Sequence, residues 1–335
     1  MPDRDNRMVW DRRKRGHYEV WYLTLTDRPT GAAFWIRYTL ESPQAGQGEP
    51  YAQLWFTSFA PDGGGGEEAR HLQFPIDALS SEAAPFSVSI GEARLTHGSA
   101  RGAIEGHASW ELEWEPAPET HRHLPALAYA IPITSTTLLT PNPGVRFRGR
   151  IQVAGRSFEL GDATGCQTHL WGRKHAESWA WVSCTTWDGG EQAHFEGITA
   201  LVKRGGRTLP PMAVVGLTLD GRRHQVNSFR RALKTRSDWE LGRWAFEAEG
   251  ASARVEGEIT HPVDALVLAE YHDPDGEPSF CHNSELATLR LRTELRDGRF
   301  SAWREGPLLT ATGTAHAEWG ARAANPSVRR RILPS

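Results

Sequence analysis

Cysteine is scarce in this chain of 335 residues: there are three, Cys166, Cys184 and Cys281, with no CxxC pair. No disulfide framework and no recognised zinc motif fits that pattern, whereas free thiols in a reducing compartment do. Long apolar runs are missing as well. No stretch approaches the roughly 20 apolar residues that a membrane-crossing helix needs, and the chain opens on the polar Met1-Pro2-Asp3-Arg4-Asp5. A cytoplasmic protein without a membrane span is therefore expected. Charge is nearly balanced, with a formal net value of −3, so the overall charge draws the chain to neither nucleic acid nor anionic lipid. The short basic runs at Arg12–Arg15 and Arg329–Arg331 read as solvated ends. GxSxG and HExxH do not occur. The glycines Gly63–Gly66 are followed by Glu67-Glu68 rather than by Lys-Ser/Thr, so they read as a loop tip and not as a phosphate cradle.

A helical period is lacking throughout; what recurs is alternation of apolar and polar residues. Trp110-Glu111-Leu112-Glu113-Trp114-Glu115 and Leu289-Arg290-Leu291-Arg292-Thr293-Glu294-Leu295 have the period of half-buried strands. Strands are also expected at Trp21–Thr26, Phe34–Leu40, Leu54–Phe59, Phe147–Val153, Phe195–Val202, Met212–Leu219 and Trp244–Ala248. Asp-Gly pairs at 62, 188, 220, 275 and 297 and the run Asp27-Arg28-Pro29-Thr30-Gly31 supply tight turns. The expected fold class is all-β. Because the chain exceeds the usual size of one β-barrel, two consecutive antiparallel β-barrel domains are expected, at 1–172 and 173–335. A short echo, Ser99-Ala100-Arg101 before Ile104-Glu105-Gly106 and Ser252-Ala253-Arg254 before Val255-Glu256-Gly257, points the same way.

Tryptophan is abundant, 14 against 3 methionines, in a chain of mean hydropathy −0.51. Rigid aromatic surface in so polar a chain suits the wall of a cavity, and core packing would also consume it. The densest stretch runs from Gly165 to Trp181 and holds Trp171, Trp179 and Trp181 with His169, His175 and Glu177. On an extended backbone Glu177, Trp179, Trp181 and Ser183 share one face, while Ser178, Ala180, Val182 and Cys184 share the other. Indoles beside a carboxylate suit a lined pocket, and small residues suit tight sheet packing. His169 and His175 lie six apart around Gly172, with no third ligand at a recognisable spacing, so no metal site is expected. An imidazole near a carboxylate is a natural proton donor near neutral pH. His169, His175 and Glu177 are accordingly the candidate catalytic residues. Trp35, Trp55, Trp171, Trp179, Trp181, His194, Tyr271 and His282 are the candidate substrate-binding residues. The run Cys281-His282-Asn283 cannot be a nucleophilic triad, because adjacent strand residues point opposite ways.

The pattern G-x-Q-x-H-x-W-G-x-x-H-A-x-S-W-x-W at 165–181 resembles the signature region of the superfamily of hydroxyneurosporene synthase (carotenoid 1,2-hydratase), AttH-like proteins and tocopherol cyclase. Supporting stretches are Tyr18–Tyr22 with Phe34–Thr39, Gly102–Trp114, and Pro141-Asn142-Pro143 leading into Phe147-Arg148-Gly149. The resemblance implies two lipocalin-like, calycin-type barrels. It also implies action on an isoprenoid or polyketide-like molecule by hydration, cyclisation or isomerisation, with no metal or organic cofactor.

Three readings stand at this point. One is a cofactor-independent enzyme that protonates an alkene or a polarised carbonyl in a dry aromatic pocket. Another is a noncatalytic carrier or sensor of a lipophilic ligand, and the last is a structural protein whose interior is filled by side chains. The expected partner is a hydrophobic small molecule, with homodimerisation left open.

Overall fold

The computed structural model describes residues 2–61, 68–124, 129, 135–204, 207–208, 211–227, 235–298 and 300–335; Gly63–Gly66 lies outside them. The protein is all-β. Every strand expected from alternation is present, for example Ala33–Ser42, Tyr51–Phe59, Ala193–Leu201, Met212–Leu219 and Arg243–Glu249. The turn chemistry is visible at Asp220-Gly221, where both residues have positive φ (50° and 75°) and join Met212–Leu219 to Arg222–Val226.

Two sheets follow one another along the chain and share one topology. In the first, the meander His17–Asp27, Ala33–Ser42, Tyr51–Phe59 and Ala69–Pro75 runs outward from the long strand Arg156–Gly172. That strand in turn pairs with Thr136–Val153, followed by Ala108–Trp114 and Ser99–Ile104. In the second, Ser178–Cys184, Ala193–Leu201, Met212–Leu219 and Arg222–Val226 run outward from Leu309–Ala321. Pro278–Leu295, Ala253–Thr260 and Arg243–Glu249 follow on its other side. The repeat therefore lies in strand order. The sequence echo does not coincide with it, because Ser99–Ile104 corresponds in position to Arg243–Glu249 and not to Ala253–Thr260.

Three apolar cores result. Each sheet curls around its own core, and a third core lies between the two sheets. Alternation explains how one strand serves two of them. Trp21, Leu23 and Leu25 of His17–Asp27 enter the first sheet's core, while Tyr18, Val20 and Tyr22 enter the core between sheets. Ser178–Cys184 behaves likewise: Ala180, Val182 and Cys184 pack inside the second sheet, and Trp179 and Trp181 face the first. The C-terminal residues then join the sheets. Arg330–Arg331 pairs in parallel with Val267–Leu268 of the second sheet, and Leu333–Pro334 pairs in parallel with Arg70–His71 of the first. Between them Ile332 is buried in the shared core.

Candidate active site

A cavity of about 480 Å³ lies between the two sheets. Tyr22, Arg37 and Leu170 come to it from the first sheet. Trp179, Trp181, Tyr271 and Glu318 come from the second, and His175 and Glu177 from the segment connecting the sheets. The strand end at Gly172 turns the chain there, so His175 emerges between the sheets.

His175 is firmly placed. Its ring is stacked on Tyr18, with centroids 4.6 Å apart and an interplanar angle of 10°, and it lies 5.6 Å from Trp179 and 5.5 Å from Tyr271. Asp273 Oδ1 accepts from the His175 backbone N–H at 2.9 Å and lies 2.6 Å from Nδ1. Asp273 Oδ2 accepts from Arg322 at 2.6 Å. Burial alone would raise the pKa of Asp273, but the hydrogen bonds and charges of His175 and Arg322 outweigh it and hold the value at about 2. A carboxylate fixed at Nδ1 leaves the proton chemistry of the ring to Nε2, which has no hydrogen-bond partner among the described residues.

Arg37 is the second unusual group. It is 5% exposed, yet among the described residues no carboxylate pairs with it and its Nε has no hydrogen-bond partner. Its guanidinium carbon lies 4.6 Å from the Tyr271 ring centroid, 4.9 Å from Trp35 and 5.7 Å from Tyr22. Those faces partly offset the desolvation of the cation, but they supply no acceptor for Nε, which finds none among the described residues. Tyr271 and Tyr22 remain protonated, because burial pushes both phenols well above their ordinary pKa. Nearby, His316 bonds Glu285 at 2.6 Å and stands 3.7 Å from Glu318. Burial opposes its protonation, but the surrounding carboxylates outweigh burial and raise its pKa.

The other expected site residues lie elsewhere. His169 is fully buried and away from the cavity, with Nδ1 2.7 Å from the Asp5 carbonyl and Nε2 2.9 Å from Glu19. Glu19 also accepts from the Val9 and Trp10 backbone N–H groups, at 2.7 and 2.9 Å. This knot holds the N-terminal segment against the first sheet, and Trp171 packs at 4.7 Å beside His169. His169 and His175 therefore do not meet. Trp35 and Trp55 sit in the core between the sheets, behind Arg37 and Tyr271 respectively. His282 has both ring nitrogens engaged by backbone, the Trp319 carbonyl at 3.1 Å and the Asn325 N–H at 3.1 Å. His194 lies beside Glu196 and Cys166 rather than in the cavity wall. Glu177, Trp179, Trp181, Tyr271 and His175 do line the cavity.

Sequence reading missed Arg37, Asp273 and Glu318. Arg37 had a signal, a lone charge inside the apolar run Phe34-Trp35-Ile36-Arg37-Tyr38. Asp273 lay in a stretch that read only as a turn.

The tocopherol cyclase-like family model matches residues 143–321, just over half of the chain. The chain belongs to the tocopherol cyclase-like family. This match spans the end of the first sheet and nearly all of the second, including His175, Asp273 and Glu318. An uncharacterized protein of Mycobacterium tuberculosis is 27% identical over 94% of this chain and 89% of its own length. Among solved structures, a protein assigned as AttH from Nitrosomonas europaea superposes with a TM-score of 0.57 at 13% identity, over 96% of each chain. CghA, solved with Sch210972, gives 0.56 at 11% identity, over 92% of this chain and 89% of its own. Kievitone hydratase from Nectria haematococca gives 0.53 at 9% identity, over 90% and 88%. These likenesses establish that the family's fold extends over nearly the whole chain.

Proposed function

We propose that this protein is an enzyme of the hydratase and cyclase type, acting on a largely apolar molecule that carries a conjugated carbonyl or similar oxygen acceptor. One observation carries the reading: a single ring, Tyr271, has the guanidinium of Arg37, with which no carboxylate pairs among the described residues, at 4.6 Å and the imidazole of His175 at 5.5 Å. An oxyanion-binding cation and a proton shuttle thus flank the same part of an aromatic cavity. A kievitone hydratase among the structural neighbours is in keeping with chemistry of this class.

The residues suit acid–base addition across a polarised double bond. An oxygen nucleophile, water or the substrate's own hydroxyl, attacks the β-carbon as its proton passes to His175 Nε2. The π electrons move onto the carbonyl oxygen, where Arg37 stabilises the enolate. His175, now imidazolium beside the Asp273 carboxylate, returns a proton to the α-carbon as the carbonyl re-forms. Capture of water gives hydration and capture of an internal hydroxyl gives cyclisation. Trp179 and Trp181 exclude bulk water, and so help decide between the two. A buried cation in the wall disfavours a free carbocation, which is why activation through an oxygen is preferred to direct protonation of an isolated alkene. A positioned acid–base group contributes about 10²–10⁴ in rate.

The test incubates the protein with organic extract of its host cells in D2O, then identifies retained and altered compounds by mass spectrometry. Both outcomes of the reaction place one solvent deuteron on carbon. The expected result is a deuterated product with wild type and none with His175→Gln, which should still retain the substrate. A retained molecule that is never altered would replace the enzyme with a carrier.

A further inference from the structure

Beside the cavity two short sequence pairs meet. His121-Arg122-His123 and His194-Phe195-Glu196 each place two ligand-type side chains two residues apart; the second pair lies on extended strand backbone and so shares a face, whereas His123 stands at the bend just after its strand. The first begins on the strand His121–Arg122, which pairs with Thr140 and Leu139 of the first sheet. The second lies on Ala193–Leu201 of the second sheet.

The ligand atoms of His121, His123 and Glu196 all lie within 4.8 Å of one another. Nε2 of His121, His123 and His194 stands 3.6, 3.6 and 3.7 Å from the Glu196 carboxylate oxygens. Such separations are too long for hydrogen bonds. They are near the roughly 3.3–3.4 Å that separates two ligands each about 2.0–2.1 Å from a tetrahedral zinc ion. The polar atoms are also unsatisfied: both ring nitrogens of His123, Nε2 of His121 and Oε2 of Glu196 are buried with no hydrogen-bond partner among the described residues. Among the described residues the one hydrogen bond to this carboxylate is from the Thr140 hydroxyl, 2.7 Å from Oε1. Buried polar groups are rarely left so.

The backbone makes room for this cluster. A Cβ on Gly216 would stand 2.3 Å from His121 Cε1, and one on Gly144, whose φ is +62°, would stand 3.2 Å from His194 Cβ. No standard zinc spacing marks this site, because the ligands come as pairs two residues apart from segments some seventy residues apart.

We propose that His121, His123 and Glu196 form a binding site for a divalent transition metal of the zinc class, which bridges the two sheets and adjoins the cavity through His123. Imidazole and carboxylate together suit such ions. A metal would supply the partner that the orphaned atoms lack, and His194 is placed to become a fourth ligand. The proposal does not depend on His175 chemistry, since metal uptake is read without turnover.

The test strips the purified full-length chain with a chelator and titrates it with Co2+ while recording visible absorption. One Co2+ per chain with tetrahedral d–d bands, displaced by Zn2+, is the expected result. Glu196→Gln and His123→Gln should each weaken uptake by more than about tenfold, with an unchanged circular dichroism spectrum. His121→Gln replaces either variant that does not fold. Absence of stoichiometric uptake by the wild-type chain would overturn the proposal, and so would uptake that the ligand substitutions leave undiminished.

Discussion

Replacing Asp273 by Asn should lower both stability and turnover, and the stability loss should fade in acid. Asp273 is 2% exposed and binds two cationic or cation-forming partners, His175 and Arg322. Its pKa falls from an ordinary 3.8 to about 2, and at about 1.4 kcal/mol per unit this is worth about 2 kcal/mol. The folded-state value is depressed, so the contribution is fully present above pH 3.8 and is lost as pH falls through about 2. Urea unfolding followed by tryptophan fluorescence at pH 7, 5, 4 and 3 measures it directly. Wild type should exceed Asp273→Asn by about 2 kcal/mol or more at pH 7, and the gap should begin to close between pH 4 and 3. A gap that is constant with pH, or that widens in acid, would refute the ionic account of this contact. In the D2O assay the same variant should retain ligand but form product about 10²–10⁴ times more slowly, because Nδ1 is no longer held by a charge.

Arg37→Met should preserve the fold, since the methionine keeps contact with Tyr22, Trp35 and Tyr271. It should weaken ligand retention about 10- to 100-fold, the value of about 1.5–3 kcal/mol for a charged hydrogen bond; unchanged retention by equilibrium dialysis would remove Arg37 from substrate binding. His169→Ala should cost about 1–3 kcal/mol in urea unfolding by leaving buried Glu19 short of a donor, while the rate of product formation stays near wild type. A large loss of rate with unchanged stability would return His169 to the chemistry. Deleting residues 326–335 removes both parallel C-terminal pairings together with buried Val328 and Ile332, and should lower Tm by a few degrees, the scale being roughly 2–4 °C per kcal/mol for chains of about 150–250 residues and smaller for a longer one. An unchanged melting curve would show the pairings to be idle.

How much was legible in the sequence depended on range. Strand period is local, so Trp110–Glu115 and Leu289–Leu295 were readable, and so were the two faces of Ser178–Cys184. The fate of an imidazole is not local. His169 and His175 look alike in sequence, but Asp5 and Glu19 claim one and Asp273 the other, across 98 to 164 positions. The six residues that separate them span the end of a strand at Gly172, where the chain leaves one sheet for the other. Trp35 and Trp55 were expected to bind substrate and instead lie in the core behind the cavity lining, because burial alone does not distinguish a wall from the layer behind it. That Arg37 has no carboxylate partner among the described residues was illegible, since it depends on where the opposing sheet places its carboxylates.

The C-terminal crossing has a consequence for how such proteins diversify. The cavity takes one wall from each sheet, so a recombination that exchanged whole halves between two relatives would create a new binding site in one step. Yet the last residues belong by sequence to the second half and by pairing to both. A chimera joined near residue 172 would bring a tail fitted to a foreign first sheet, and its edge at Arg70–His71 would have to accept that tail or stay unpaired. Inheritance of the two halves as one linked unit, with specificity changing by point substitution in the facing walls, is the course this architecture favours.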